Sequence, residues 1–167
     1  MNTDFDQYFQ HYLKLVQAGP LLPVLQETHE EFMAQLAGVD DDRGRYRYAP
    51  DKWSIKEVVA HVIDTERIFA YRALRFARQD TTALPGYDEN HFVEYSGADN
   101  RSIAGLKEEF DLVRKASIAL YKSFDDRMLA RQGTANNMTI GVKPLLYLMA
   151  GHGRHHGNIL RERYGVQ

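Results

Sequence analysis

Toward its C-terminal end the chain reads MAGHGRHHGNILRERY, which gathers three of its seven histidines: His152, His155 and His156. On a helix advancing ~100° per residue, His152 and His156 (i, i+4) share one face. They fall in register with Val142, Leu145, Met149 and Ile159, so two imidazoles take positions where a helical core expects Leu or Ile. His155 lies roughly 90° from the centre of that stripe, at its flank. Buried polar groups need partners. Two readings of the pair are therefore open. Each could be a core histidine with one hydrogen bond, or both could aim a ring nitrogen at one divalent metal. The His-x-x-x-His spacing does not choose between them, because it lacks the glutamate of the HExxH motif.

A metal would need a third ligand from another helix. His11 and His29 have polar neighbours, and His91 sits in a long connection. His61 lies inside VVAHVIDTE, one turn from Val58 and Thr65 and toward the edge of an apolar stripe; a half-exposed helix histidine is the alternative reading. Three histidines from two helices would leave coordination positions open for water or substrate, as in catalytic rather than structural metal sites. Asp64 could orient the His61 ring, although a solvated helix carboxylate is the simpler reading. Glu66 sits nearer the apolar stripe than a carboxylate should, and pairing with Arg72, Arg75 or another arginine is favoured over a place beside the metal. Trp53 is expected to pack the start of the second major helix or to line a pocket.

The elements that must position these residues are helical almost throughout, with no strand-like alternation. A first segment covers residues 4–18 and stops at Gly19–Pro20. A second covers 21–39, and the two are either one kinked helix or a pair. Ser54 with Glu57 forms a capping box that opens the helix of His61. A long connection follows at 81–100, with one helical turn predicted near residues 90–95; such connections are often functional. A third long helix is predicted over 102–124. A linker over 125–138 then leads to Thr139, the expected cap region of a last helix at 142–164. Four long helices describe an all-α four-helix bundle.

Composition limits the chemistry. A chain of 167 residues is about one domain, and 44% hydrophobic with 26% charged residues excludes general disorder. There is no cysteine, which removes disulfides, thiolate metal sites and any thiol nucleophile of the protein's own. The net charge of −2 gives no general reason to bind nucleic acid. Arg43, Arg45 and Arg47 with Tyr46 and Tyr48 follow directly on Asp40, Asp41 and Asp42, so a solvated loop is favoured over a nucleic-acid patch. MNTDFD has neither a basic nor an apolar region, no apolar run reaches a membrane span, and a cytoplasmic protein is expected.

Two segments, WSIKEVVAHVIDTERIFAYRALR and VKPLLYLMAGHGRHHGNILRERY, with LPGYDENHFVEYS between them, make the chain resemble the DinB-like superfamily, in particular its YfiT-like branch of metal-dependent hydrolases. The resemblance covers roughly residues 20–165. It implies one DinB-like helical bundle domain over 1–167, with His61, His152 and His156 as the metal ligands. It also implies either a hydrolase using metal-activated water or an S-transferase using a low-molecular-weight thiol, which this chain would have to borrow as cosubstrate. Zn or Ni is expected foremost, with Mn or Fe also compatible, and the ligand set does not separate them. Relatives often form homodimers, although no sequence feature marks an interface. The alternative is a non-catalytic, stress-related helical binding module whose metal only ties helices together. A small-molecule substrate is expected, and neither a membrane nor a nucleic acid.

Overall fold

Ser54 Oγ accepts the Glu57 amide while the Glu57 carboxylate accepts the Ser54 amide, and this reciprocal cap starts the helix that carries His61. The computed structural model of the chain describes residues 3–16 and 19–167. The elements, in order, are α1 (Thr3–Lys14), α2 (Leu21–Gln35), α3 (Asp41–Gly44), α4 (Ile55–Ala77) and α5 (Glu89–Tyr95). A 3-10 turn at Ala98–Asn100 precedes α6 (Ile103–Lys122), α7 (Asp126–Leu129), β1 (Gln132–Ala135), β2 (Met138–Gly141) and α8 (Val142–Tyr164). Gly19–Pro20 separates two helices rather than bending one, and Pro20 stands at the N-cap of α2 in extended conformation. The predicted first segment also reached Gln17 and Ala18, which lie outside the described residues.

The long helices α2, α4, α6 and α8 form the bundle. Around its axis the order is α2, α8, α4, α6, each packed on its two neighbours, and α1 lies against α8. Glycines on α8 permit close approaches. A Cβ on Gly151 would stand 2.4 Å from the Tyr12 carbonyl oxygen of α1, and one on Gly157 would stand 2.6 Å from Gln35 Oε1 of α2.

The expectation of no strands is corrected by a small antiparallel hairpin. Strands β1 and β2 pair from Gln132 with Gly141 to Ala135 with Met138. Asn136 and Asn137 form the two-residue turn, both at positive φ (51° and 61°), as the twist of a tight hairpin demands and asparagine tolerates. Thr139 is consequently in a strand, and Gly141 takes the cap position of α8 without a side-chain cap. The connection after α4 is pinned to this hairpin: Leu84 donates to the Thr134 carbonyl at 2.9 Å and accepts from the Asn136 amide at 3.0 Å.

The apolar interior is divided in two. One cluster joins Tyr12, Leu21, Leu25, Phe76, Leu145 and Met149, and the other joins Phe32, Leu36, Ile55, Val59, Phe110 and Leu160. Between them every bundle helix contributes buried polar side chains: Thr28 from α2, His61 and Glu66 from α4, Arg114 and Ser117 from α6, His152 and His156 from α8. Such a layer is costly unless its members find partners, in one another or in a bound ligand.

Candidate metal centre

His61 comes from the second turn of α4, and His152 and His156 from successive turns of α8, the two helices that pack together most extensively. All three side chains are buried. The Nε2 atoms of His61 and His152 lie 3.0 Å apart, and those of His156 and His152 lie 3.1 Å apart. One potential ligand atom from each residue lies within 4.8 Å of the other two, and among the described residues this is the one such cluster.

Hydrogen bonding alone does not account for that convergence. A neutral imidazole nitrogen carries either one hydrogen or one lone pair. His152 Nε2 therefore cannot form two full hydrogen bonds, to His61 and to His156, at once. Protonating the rings is disfavoured too. Burial, followed by the neighbouring His155, brings His61 down to about 4. Burial and the adjacent imidazoles hold His152 and His156 well below the ordinary histidine range. Three neutral rings turning Nε2 toward one point present a set of lone pairs when each carries its hydrogen on Nδ1, which is the form a cation requires. Two ligands each ~2.1 Å from one ion, at angles between square and tetrahedral, stand about 3.0–3.4 Å apart, so the spacing fits. His156 Nδ1 is buried with no hydrogen-bond partner among the described residues, so no acceptor fixes that ring's outer edge.

The surroundings are aromatic. Trp53 lies with its ring 4.8 Å from that of His61, Tyr12 of α1 is 5.6 Å from His152, and Phe69 is 6.3 Å from His152. Asp64 forms a 3.7 Å ion pair with Arg67, and burial raises its carboxyl above the usual range. The Glu66 carboxylate is engaged by Arg114. Neither carboxylate bonds a histidine of the cluster among the described residues. His155, on the flank of α8, meets His11 at 3.0 Å between Nδ1 and Nε2, a pairing invisible in sequence because the two are 144 positions apart. Tyr12 was missed for the same reason: nothing in its local pattern says which helix α1 covers. The arginine loop is solvated in part and otherwise structural, with Arg47 bonded to Glu57 and Asp99 and Arg43 to the Tyr164 carbonyl.

A sequence model of the DinB superfamily matches residues 25–160, most of the chain. The chain belongs to the DinB superfamily. A search of curated protein sequences finds no match. Among solved structures, this DinB-superfamily chain is similar to YfiT from Bacillus subtilis, described as a probable metal-dependent hydrolase with an unusual four-helix bundle topology. The TM-score is 0.76 at 20% identity, over 88% of this chain and 87% of that one. It is also similar to the mycothiol-dependent maleylpyruvate isomerase, with a TM-score of 0.71 at 13% identity, over 86% of this chain and 61% of the isomerase. At these identities the likeness is one of fold, and the chain spans about three fifths of the isomerase. Among the described residues no helix is long and apolar enough to cross a membrane.

Proposed function

We propose that this DinB-superfamily chain is a metal-dependent enzyme in which His61, His152 and His156 hold one divalent cation through Nε2, and that it hydrolyses an ester or amide of a small molecule. The observation that carries this reading is the convergence of three buried, neutral imidazole nitrogens on one point with no hydrogen-bonding scheme that satisfies them. A divalent ion there would acidify a water, or a thiol, at neutral pH. The chain's own residues set the conditions. The three rings add no negative charge, so the ion keeps its full positive charge. Trp53 and Phe69 set aromatic rings beside the cluster. Three protein ligands leave positions open, which favours catalysis over a purely structural metal in a binding module.

A second reading, transfer of a low-molecular-weight thiol, is supported by the fold likeness to a mycothiol-dependent enzyme. With no cysteine in the chain, the sulfur would come from a cosubstrate.

Metal analysis of the purified protein and of His61→Ala and His152→Ala tests the site. One equivalent of divalent metal in the unmutated chain, lost in both variants, is expected. Absence of metal, or retention in either variant, would sink the proposal. Assays of ester and amide hydrolysis with and without added thiol then separate the two reactions, and the absence of both alongside a metal-dependent fold would favour the structural role.

A further inference from the structure

Three cationic side chains are buried among the described residues: Lys56, Arg72 and Arg114. Two of them have an anion. Lys56 Nζ lies 2.9 Å from Asp41, and Arg114 is gripped by Glu66 at 2.8 Å. Arg72 is 8% exposed and forms no ion pair among the described residues. Its Nη2 donates to the Pro85 carbonyl at 2.9 Å, which employs one of five guanidinium donors and offsets no charge. Burial lowers its pKa, with only the Tyr87 hydroxyl acting in the opposite direction. A buried charge without a counter-charge is costly, so a cation left in this condition points to an anion that arrives from outside.

Arg72 lines a cavity of about 580 Å³ whose walls include Thr65, Phe69, Met138, Ile140 and Leu145. Much of the lining is apolar, with Thr65, Asn90 and Asn136 as its uncharged polar members, and Thr65 Oγ1 is bonded to the Tyr87 hydroxyl at 2.7 Å. Asp88 and Glu89 also border the cavity. The Asp88 carboxylate is engaged as the cap of α5 by the amides of Asn90 and His91, and Glu89 is exposed. On α4, Arg72 follows His61 by eleven residues, about three whole turns and ~16 Å, so both lie on nearly the same face. Thr65 and Phe69 stand between them, and the Phe69 ring reaches within 6.3 Å of that of His152. One face of α4 therefore runs from the histidine cluster along the cavity to an arginine with no ion pair among the described residues.

We propose that Arg72 is the anchor for a carboxylate, and that the cavity receives a small acid with an apolar body whose other end is directed along α4 toward His61. A planar guanidinium matches a carboxylate through two parallel hydrogen bonds. A phosphate fits less well, because one arginine leaves its second charge unmatched in a cavity with two acids at the border. The proposal rests on the metal-enzyme reading only for which end of the ligand reacts. The acid site itself is independent of any metal.

The test is a fluorine NMR titration of the full chain, metal-free and zinc-loaded, with a fluorophenylbutanoate and with its primary amide. The unmutated protein is expected to bind the acid at least ~10-fold more tightly than the amide, as a charge-assisted bond to a buried arginine implies. Methyl shifts are expected at Ile140 and Leu145. Arg72→Gln is expected to abolish the preference and Arg72→Lys to keep part of it, with melting curves showing both variants folded. Equal binding of acid and amide, no binding of either, methyl shifts confined elsewhere, or a preference that survives in Arg72→Gln would overturn the proposal. The acid-versus-amide comparison needs no variant, so misfolding of Arg72→Gln leaves a decisive result. Because the metal-free arm stands alone, failure of the metal site and failure of the acid site are told apart.

Discussion

Arg114 donates to Glu66 through two parallel hydrogen bonds of 2.8 Å each, Nε to Oε1 and Nη2 to Oε2, in a part of the core where the arginine has no exposure. The second arm of the guanidinium reaches α2, donating to the Leu25 carbonyl at 2.8 Å and to Thr28 Oγ1 at 3.0 Å. One side chain of α6 thus ties α4 to α2 across the bundle, within the same polar layer as the histidines.

Removing one partner leaves the other charge buried and alone. Glu66→Leu is expected to destabilise the chain by about 3–5 kcal/mol, and the double variant Glu66→Leu/Arg114→Met to recover most of that loss. Denaturant unfolding of the three proteins checks it. Equal destabilisation in the single and double variants would mean that packing, not charge pairing, is what the residues supply.

Acid should weaken the metal-free fold. The His61 ring titrates near 4 in the folded chain, against 6.5 for an ordinary histidine. Between those values the unfolded chain binds more protons than the folded one, so stability rises with pH through that window and falls as pH drops through it. For His61 alone the full loss is about 3 kcal/mol, and His152 and His156 act in the same direction. Urea midpoints of metal-free protein between pH 4 and 7 are expected to show this slope, and His61→Leu to reduce it.

The histidine positions were readable because helical periodicity is a local property: the register of His152 and His156 with Leu145 and Met149 follows from spacing alone. So was the start of α4, since Ser54 and Glu57 are three residues apart. What stayed hidden depends on distant partners. Whether Glu66 meets an arginine was a local inference, but that it is Arg114, 48 positions away, is decided by the packing of α4 on α6. The same holds for Tyr12 against His152 and for Leu84 on the hairpin. The hairpin had a local signal in Asn136–Asn137, residues that tolerate positive φ, but its four-residue strands are too short to show alternation.

Bound metal should stabilise by mass action. Zinc at a hundredfold excess over its dissociation constant is expected to add about 2.7 kcal/mol to the unfolding free energy of the unmutated chain and almost nothing to His152→Ala. Differential scanning calorimetry with and without zinc measures both.

Gly151→Ala should displace α1. The new Cβ would meet the backbone oxygen of Tyr12 at 2.4 Å, which no rotamer can relieve. A cost of about 1–3 kcal/mol is expected, together with faster proteolysis of the N-terminal helix. Gly38→Ala, where a Cβ meets nothing within 4 Å, is the matched control and should change stability by less than ~0.5 kcal/mol. Unchanged proteolysis of Gly151→Ala would show that α1 does not depend on that contact.

The pinning of Leu84 on the hairpin reaches beyond local order. The connection it belongs to leaves the end of α4, and the hairpin passes straight into α8 through Gly141. The cavity wall is therefore hung between the two helices that bear His61, His152 and His156, with no slack segment between β2 and α8. An occupant of the cavity therefore presses on a wall tied to the ends of both helices. If an ion binds the three imidazoles and an acid the cavity, as proposed, whatever the acid changes in the hold on the ion, the ion changes by an equal free energy in the hold on the acid.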